Sequence, residues 1–148
     1  MSRIFRVITV AGLLTMGLLN WGLPQAVANS HNSILKLMVE VITPASDELW
    51  GVEDPITDEE WQALDEAALL IITAFEQAKL GGSGPNDDIW ASEQKWKDYA
   101  EEEIAAGQAA RNAIAARDLD SLEDAGSELY SPCESCHREY HPGLQDQE

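Results

Sequence analysis

Between Trp61 and Ala78 the residues Trp61, Leu64, Ala68, Ile71, Phe75 and Ala78 step by three, four, three, four and three. That alternation keeps one face of a helix apolar along its whole length and gives a strand nothing to bury, so the stretch is an amphipathic helix that needs helical neighbours. Thr57 and Glu60 just ahead of it form a capping box, and Ile56 can pack on Trp61 as a hydrophobic staple.

Three further segments carry the same kind of pattern. From Ser33 to about Trp50, Ile34, Met38, Val41 or Ile42, Ala45 and Leu49 share a face, and Pro44 predicts a kink or a restart capped by Thr43. Gly81-Gly82-Ser83-Gly84-Pro85 ends the second segment, and Asn86 or Asp87 can cap a third that runs to about Arg117. Its expected inward face is Trp96, Ala100, Ile104, Gly107, Ala110 and Ile114. The small residues Ala105, Ala106, Gly107, Ala109, Ala110 and Ala113 let something bulky approach there, either a neighbouring helix or a flat macrocycle. The fourth helix is expected to start near Ser121, with Leu122, Gly126, Leu129, Cys133, Cys136 and Tyr140 on its stripe. Pro132 predicts a kink or restart within it, and His141-Pro142-Gly143 stops it. Four such helices joined by short loops predict an all-α, up-down-up-down four-helix bundle.

The first 28 residues are of another kind. Arg3 and Arg6, an apolar run from Val7 to Leu19 and the closing Ala26-Val27-Ala28 follow the order of a secretory signal peptide, cleaved before Asn29. The run is shorter than the ~20 residues a membrane-spanning helix needs, so residues 29–148 are expected as one exported domain without stable membrane insertion. The whole chain has 27 acidic and nine basic residues, a net charge of −18. Cleavage would remove two basic residues and no acidic one, leaving seven against 27, or −20. Such a field disfavours nucleic acid and anionic membrane and attracts a basic-faced partner at low salt.

The two cysteines of the chain stand in Cys133-Glu134-Ser135-Cys136-His137, the C-x-x-C-H pattern of covalent haem attachment. On a helix, residues three and four apart share a face, so Cys133 and Cys136 can each form a thioether with a haem vinyl carbon while His137 reaches the iron. Three other chemistries use the same residue types. A disulfide here would close too small a loop to constrain much. A thioredoxin-like redox pair asks for a βαβ context. A zinc or copper site could draw on Cys133, Cys136 and His137 or His141, but one helical face presents four ligands tetrahedrally only with difficulty. No Ser-His-Asp set, paired carboxylates or phosphate loop is identifiable, and the expectation is a non-enzymatic haem protein.

With this motif on the last of four helices, the mature chain resembles the class II c-type cytochromes, the family of cytochrome c-prime and its low-spin relatives. Residues 133–140, CESCHREY, match the family's C-x-x-C-H-x-x-Y, Tyr140 included; His141 stands where members often carry a basic residue. The resemblance implies one haem c inside the bundle, bound through Cys133 and Cys136 and ligated by His137. Low-spin members add a methionine from the first helix and carry electrons; Leu35-Lys36-Leu37-Met38 is similar to their segment, which makes Met38 the candidate sixth ligand, with core packing as its plain structural role. The alternative within the family is a five-coordinate iron that binds or senses nitric oxide or carbon monoxide. His31 is a weaker rival to Met38, and His141 is expected at a solvated helix end. The remaining expectations are a periplasmic location, a redox partner protein, and a homodimer of the kind members form through their first two helices.

Overall fold

The computed structural model describes residues 32–52 and 57–141. The expected leader and its cleavage point, His31, the Ile56 staple and Pro142-Gly143 lie outside them. Among the described residues the fold is all-α, as the stripes require.

The first rod is continuous through α1 (Ile34–Leu37), a π-helical segment (Met38–Ile42) and α2 (Thr43–Trp50). Ser33 caps it, its hydroxyl accepting from the Lys36 N–H at 3.2 Å. Pro44 does not restart this rod: residues Ile42 and Thr43 keep right-handed helical angles, and the Thr43 N–H reaches back to the Met38 carbonyl. Proline lacks an N–H and its ring crowds the carbonyl a turn earlier; widening that turn to π geometry relieves the clash without breaking the rod. The wider turn also resets which residues point inward. Leu37 and Ile42 are buried, whereas Met38 and Val41 are only half-buried.

Helix α3 (Asp58–Ala78) starts at the capping box, with the Glu60 N–H donating to Thr57 Oγ1 and the Thr57 N–H donating to Glu60 Oε2. Its whole predicted stripe is buried. The predicted third helix is two: α4 (Asp87–Ser92) and α5 (Gln94–Ala116), separated by extended backbone at Glu93. Neither expected cap caps α4. Asn86 makes no such bond, and the Asp87 carboxylate turns away to accept from the backbone N–H groups of Ile34 and Gly84, both at 2.8 Å. Asp87 thereby ties the start of the first rod to the glycine-rich loop. At the far end of α5, Arg117 takes the left-handed conformation that turns the chain.

Helix α6 (Leu119–Tyr140) begins two residues before the expected Ser121 because Asp118 is the cap, accepting from the Ser121 N–H. It then runs on as one helix through the buried Pro132, without the restart that Ser131 could have capped. Proline costs a helix one bond locally, and burial of Leu129 and Pro132 offsets that loss.

Cross-connections fix the rods' directions. Asp58 and Arg117 pair, as do Asp65 and Arg111, while the Trp96 indole donates to the Ala78 carbonyl, so α3 and α5 are antiparallel. Tyr140 to Glu93 and Glu139 to Lys95 make α5 and α6 antiparallel. The Trp50 indole N–H donates to the Gly126 carbonyl at 2.9 Å and closes the first rod onto α6. This is an up-down-up-down bundle, with one core running from Ile34 through Ile71 and Leu122 to Leu129. At Gly107 an added Cβ would sit 2.8 Å from Ile72, so the small-residue run of α5 accommodates α3 at that point. No helix of the described residues is long and apolar enough to cross a membrane.

Candidate functional site

The last two turns of α6 carry Cys133, Cys136, His137 and Tyr140. The face that buries Leu122, Gly126 and Leu129 opens to half-burial from Cys133 onward.

 Leu129 itself is 1 % exposed, and Cys136 and Tyr140 pack against the edge of the core that it belongs to. Both cysteines are free thiols, three residues apart on one helix. Burial is the main reason that both resist ionisation, reinforced by the negative charge of Glu103; the Cys136 thiol is pushed up to about 12 and that of Cys133 further. Redox-catalytic cysteines need the opposite shift, toward thiolate. Among the described residues, no group of three or more His, Cys, Asp or Glu side chains could hold a metal ion.

His137 follows Cys136 and is half-buried. Burial, and secondarily the charge of His141, lowers its pKa, which keeps the imidazole neutral and its lone pair free to bind iron. Its neighbours on the helix point outward: Arg138 pairs with Glu134 at 2.9 Å, and Glu139 with Lys95. His141 is exposed at the C-cap, as expected of a helix-end residue.

Tyr140 anchors this end of α6. Its ring packs edge-on against Trp96, with centroids 5.1 Å apart, and against Trp90 at 5.8 Å, while its hydroxyl donates to Glu93 Oε2 at 2.8 Å. The break between α4 and α5 is what makes this possible, since it sets Trp90 and Trp96 in a stack 5.6 Å apart and exposes the Glu93 carboxylate to Tyr140.

Met38 lies on the first rod at the opening of the π segment, half-buried against the same core that Cys136 edges. The antiparallel rods give its height. From the Trp50–Gly126 bond, Met38 is twelve residues back along the first rod and His137 eleven forward along α6. Both distances are roughly 17 Å of helix, so the two residues stand at one level of the bundle.

One residue of this region escaped the sequence reading. Glu103 of α5 is 1 % exposed; no nitrogen or oxygen donor reaches its carboxylate, and the Cys133 thiol is the polar group beside it. The expected inward face of this helix holds Ile104 in its place, yet Trp96, Ala100, Glu103, Gly107, Ala110 and Ile114 make a strict four-three-four-three-four stripe. That stripe was the available signal; the neighbouring Ile104, apolar and therefore the natural choice, is in fact only half-buried.

The residues present suit a c-type haem on their own chemistry: two un-ionised thiols and a neutral imidazole on one half-buried helical turn. The comparison with protein families agrees. The model of the family described as Cytochrome C' matches residues 30–141. No curated protein and no solved structure matches the chain.

Proposed function

Because the chain belongs to the cytochrome c' family, whose members bind haem c, we propose that it is an exported, periplasmic monohaem electron carrier with the haem joined to Cys133 and Cys136 and held between His137 and Met38. The observation that carries this reading is the shared level of Met38 and His137 on facing antiparallel rods, beside two thiols on the same turn as the histidine.

The bound haem would supply a one-electron couple at its iron. The protein's own residues do the rest. Cys133 and Cys136 each offer an S–H for addition across a vinyl group, so that a C–S bond forms, the proton goes to the other vinyl carbon, and no oxidant is consumed. His137 presents a neutral nitrogen. Met38 offers a thioether sulfur, a ligand that favours the reduced state. Trp96 and Tyr140 fix the end of α6, which holds His137 in place. The acidic surface, −18 over the whole chain, favours a redox partner with a basic face.

The test is an optical spectrum of the exported protein, oxidised and reduced, with a denaturing haem-stained gel. A stain that survives denaturation, sharp low-spin bands, and a sulfur-to-iron band lost in Met38→Ala are the expected results. A retained stain with a broad high-spin spectrum that sharpens under carbon monoxide would replace electron transfer with gas binding. No stain would overturn the haem assignment on these cysteines.

A further inference from the structure

Glu103 is the buried polar group that neither the fold nor the proposed ligation uses. A carboxyl that is 1 % exposed, with no nitrogen or oxygen donor and only the Cys133 thiol beside it, is costly in its ionised form, and such a group is a candidate for a functional role. Its position matters as much as its burial. It projects from α5 toward the turn of α6 that bears the cysteines: the Cys133 thiol lies beside it, and the Cys136 thiol feels its charge.

We propose that Glu103 binds a proton from solvent when the haem is reduced and releases it on oxidation, so that this cytochrome couples one electron to one proton. The inference rests on the haem reading above. The balance is simple: one electron from the redox partner, one proton from water onto a Glu103 carboxylate oxygen, and the reverse on oxidation. Net charge in the dry interior is then unchanged across the cycle, which is the physical reason for the coupling.

The surroundings leave the carboxyl free to respond. Burial is the first cause of its raised pKa, about 7; the Cys133 thiol opposes the rise and the charge of Glu102 adds to it. Thioether formation would take away the Cys133 S–H, the one group that favours the carboxylate. On the elements packed against α5, the other charged groups are engaged elsewhere or face outward. Glu76 of α3 is exposed, and Lys79 pairs with Glu101. Asp87 of α4 is bound by two backbone N–H groups, and Asp88 is exposed. On α6, Glu134 pairs with Arg138 and Glu139 with Lys95, while His137 is placed as the iron ligand and His141 is exposed. Lys36 and Glu40 of the first rod pair with each other.

The experiment is a redox titration of the haem protein and of Glu103→Gln from about pH 5 to about pH 9, with reduced-minus-oxidised infrared spectra of both. In the wild type the potential is expected to fall with rising pH around neutrality, by up to about 59 mV per tenfold change in proton activity. Reduction should also raise a protonated-carboxyl band. Glu103→Gln should lose both the slope and the band, while haem propionates and His141, present in both proteins, cancel in the difference. Glu103→Asp should keep the slope with a displaced midpoint, and it decides the question if the glutamine variant fails to fold. Coincident slopes with no carboxyl band, in proteins that keep their haem stain, would overturn the coupling and leave the electron-carrier reading intact. Loss of the stain in the wild type would overturn both.

Discussion

At the end of the bundle where Trp50 meets Gly126, the inward side chains close on one another beneath an open surface cleft edged by Trp50 and Tyr130: Leu49, Leu122, Ala125 and Leu129 are each 3 % exposed or less, and the indole nitrogen has its carbonyl. At the other end, where the π segment stands level with the last turns of α6, Met38, Cys133, Cys136 and His137 are half-buried and Glu103 is buried with only the Cys133 thiol beside it. The same helices build both ends, and their stripes continue from one to the other. What changes is the chemistry placed on the stripe. The closed end is made for stability, and the cysteine end accepts polar cost and incomplete burial in exchange for reactive groups.

The contrast is open to breaking by substitution. The largest effect belongs to the closed end: Leu129→Ala removes a side chain buried to 1 % and is expected to cost about 2–5 kcal/mol in denaturant unfolding. A cost under about 1 kcal/mol would mean that this end is no better packed than the other.

Next comes Glu103→Gln, which should act only through pH. Its folded pKa of about 7 lies above the unfolded 4.5, so the folded state holds the proton more tightly, and stability is highest below pH 4.5 and falls as pH rises to about 7. The shift corresponds to about 3 kcal/mol, which the glutamine variant should not lose across that window. Asp65 does not confuse the result: its pKa is lowered, chiefly by the Arg111 hydrogen bond, so its contribution is lost only at pH values below its ordinary range. Unfolding curves of the two proteins at about pH 4.5 and about pH 8 decide the matter; parallel curves would make Glu103 ordinary.

The Trp50 indole bond contributes least of the three. Trp50→Phe keeps most of the apolar contact and removes the bond to Gly126, for an expected loss of about 1 kcal/mol. Because that bond is far along the rods from His137, the optical spectrum should not move.

The helices and the cysteine motif were legible because both are written in local spacing. The stripe of α3 and its capping box appear in the structure as read, and so does the stripe of α6 through Tyr140. The misjudged features depend on partners distant in sequence. Pro44 and Pro132 predict a kink or a restart because a proline removes a helical bond, but packing against neighbouring rods keeps both segments helical without a restart. Asp87 looked like a helix cap and serves Ile34, 53 residues away. Glu103 was passed over because charge predicts exposure, and only the packing of α5 against α6 buries it.

The π segment also sets how this chain tolerates changes in length. Each residue turns an α-helix by about 100°. Deleting one residue between Met38 and Ile42 would let the turn relax to α geometry, and inserting one would force a second irregular turn. Either change rotates everything before it, including Ile34 with its hold on Asp87, relative to everything after. The first rod therefore behaves like a key with two cuts at a fixed offset, one for the loop beside α4 and one for Trp50 on α6, and a homologous protein that kept both cuts would have to keep the number of residues between them.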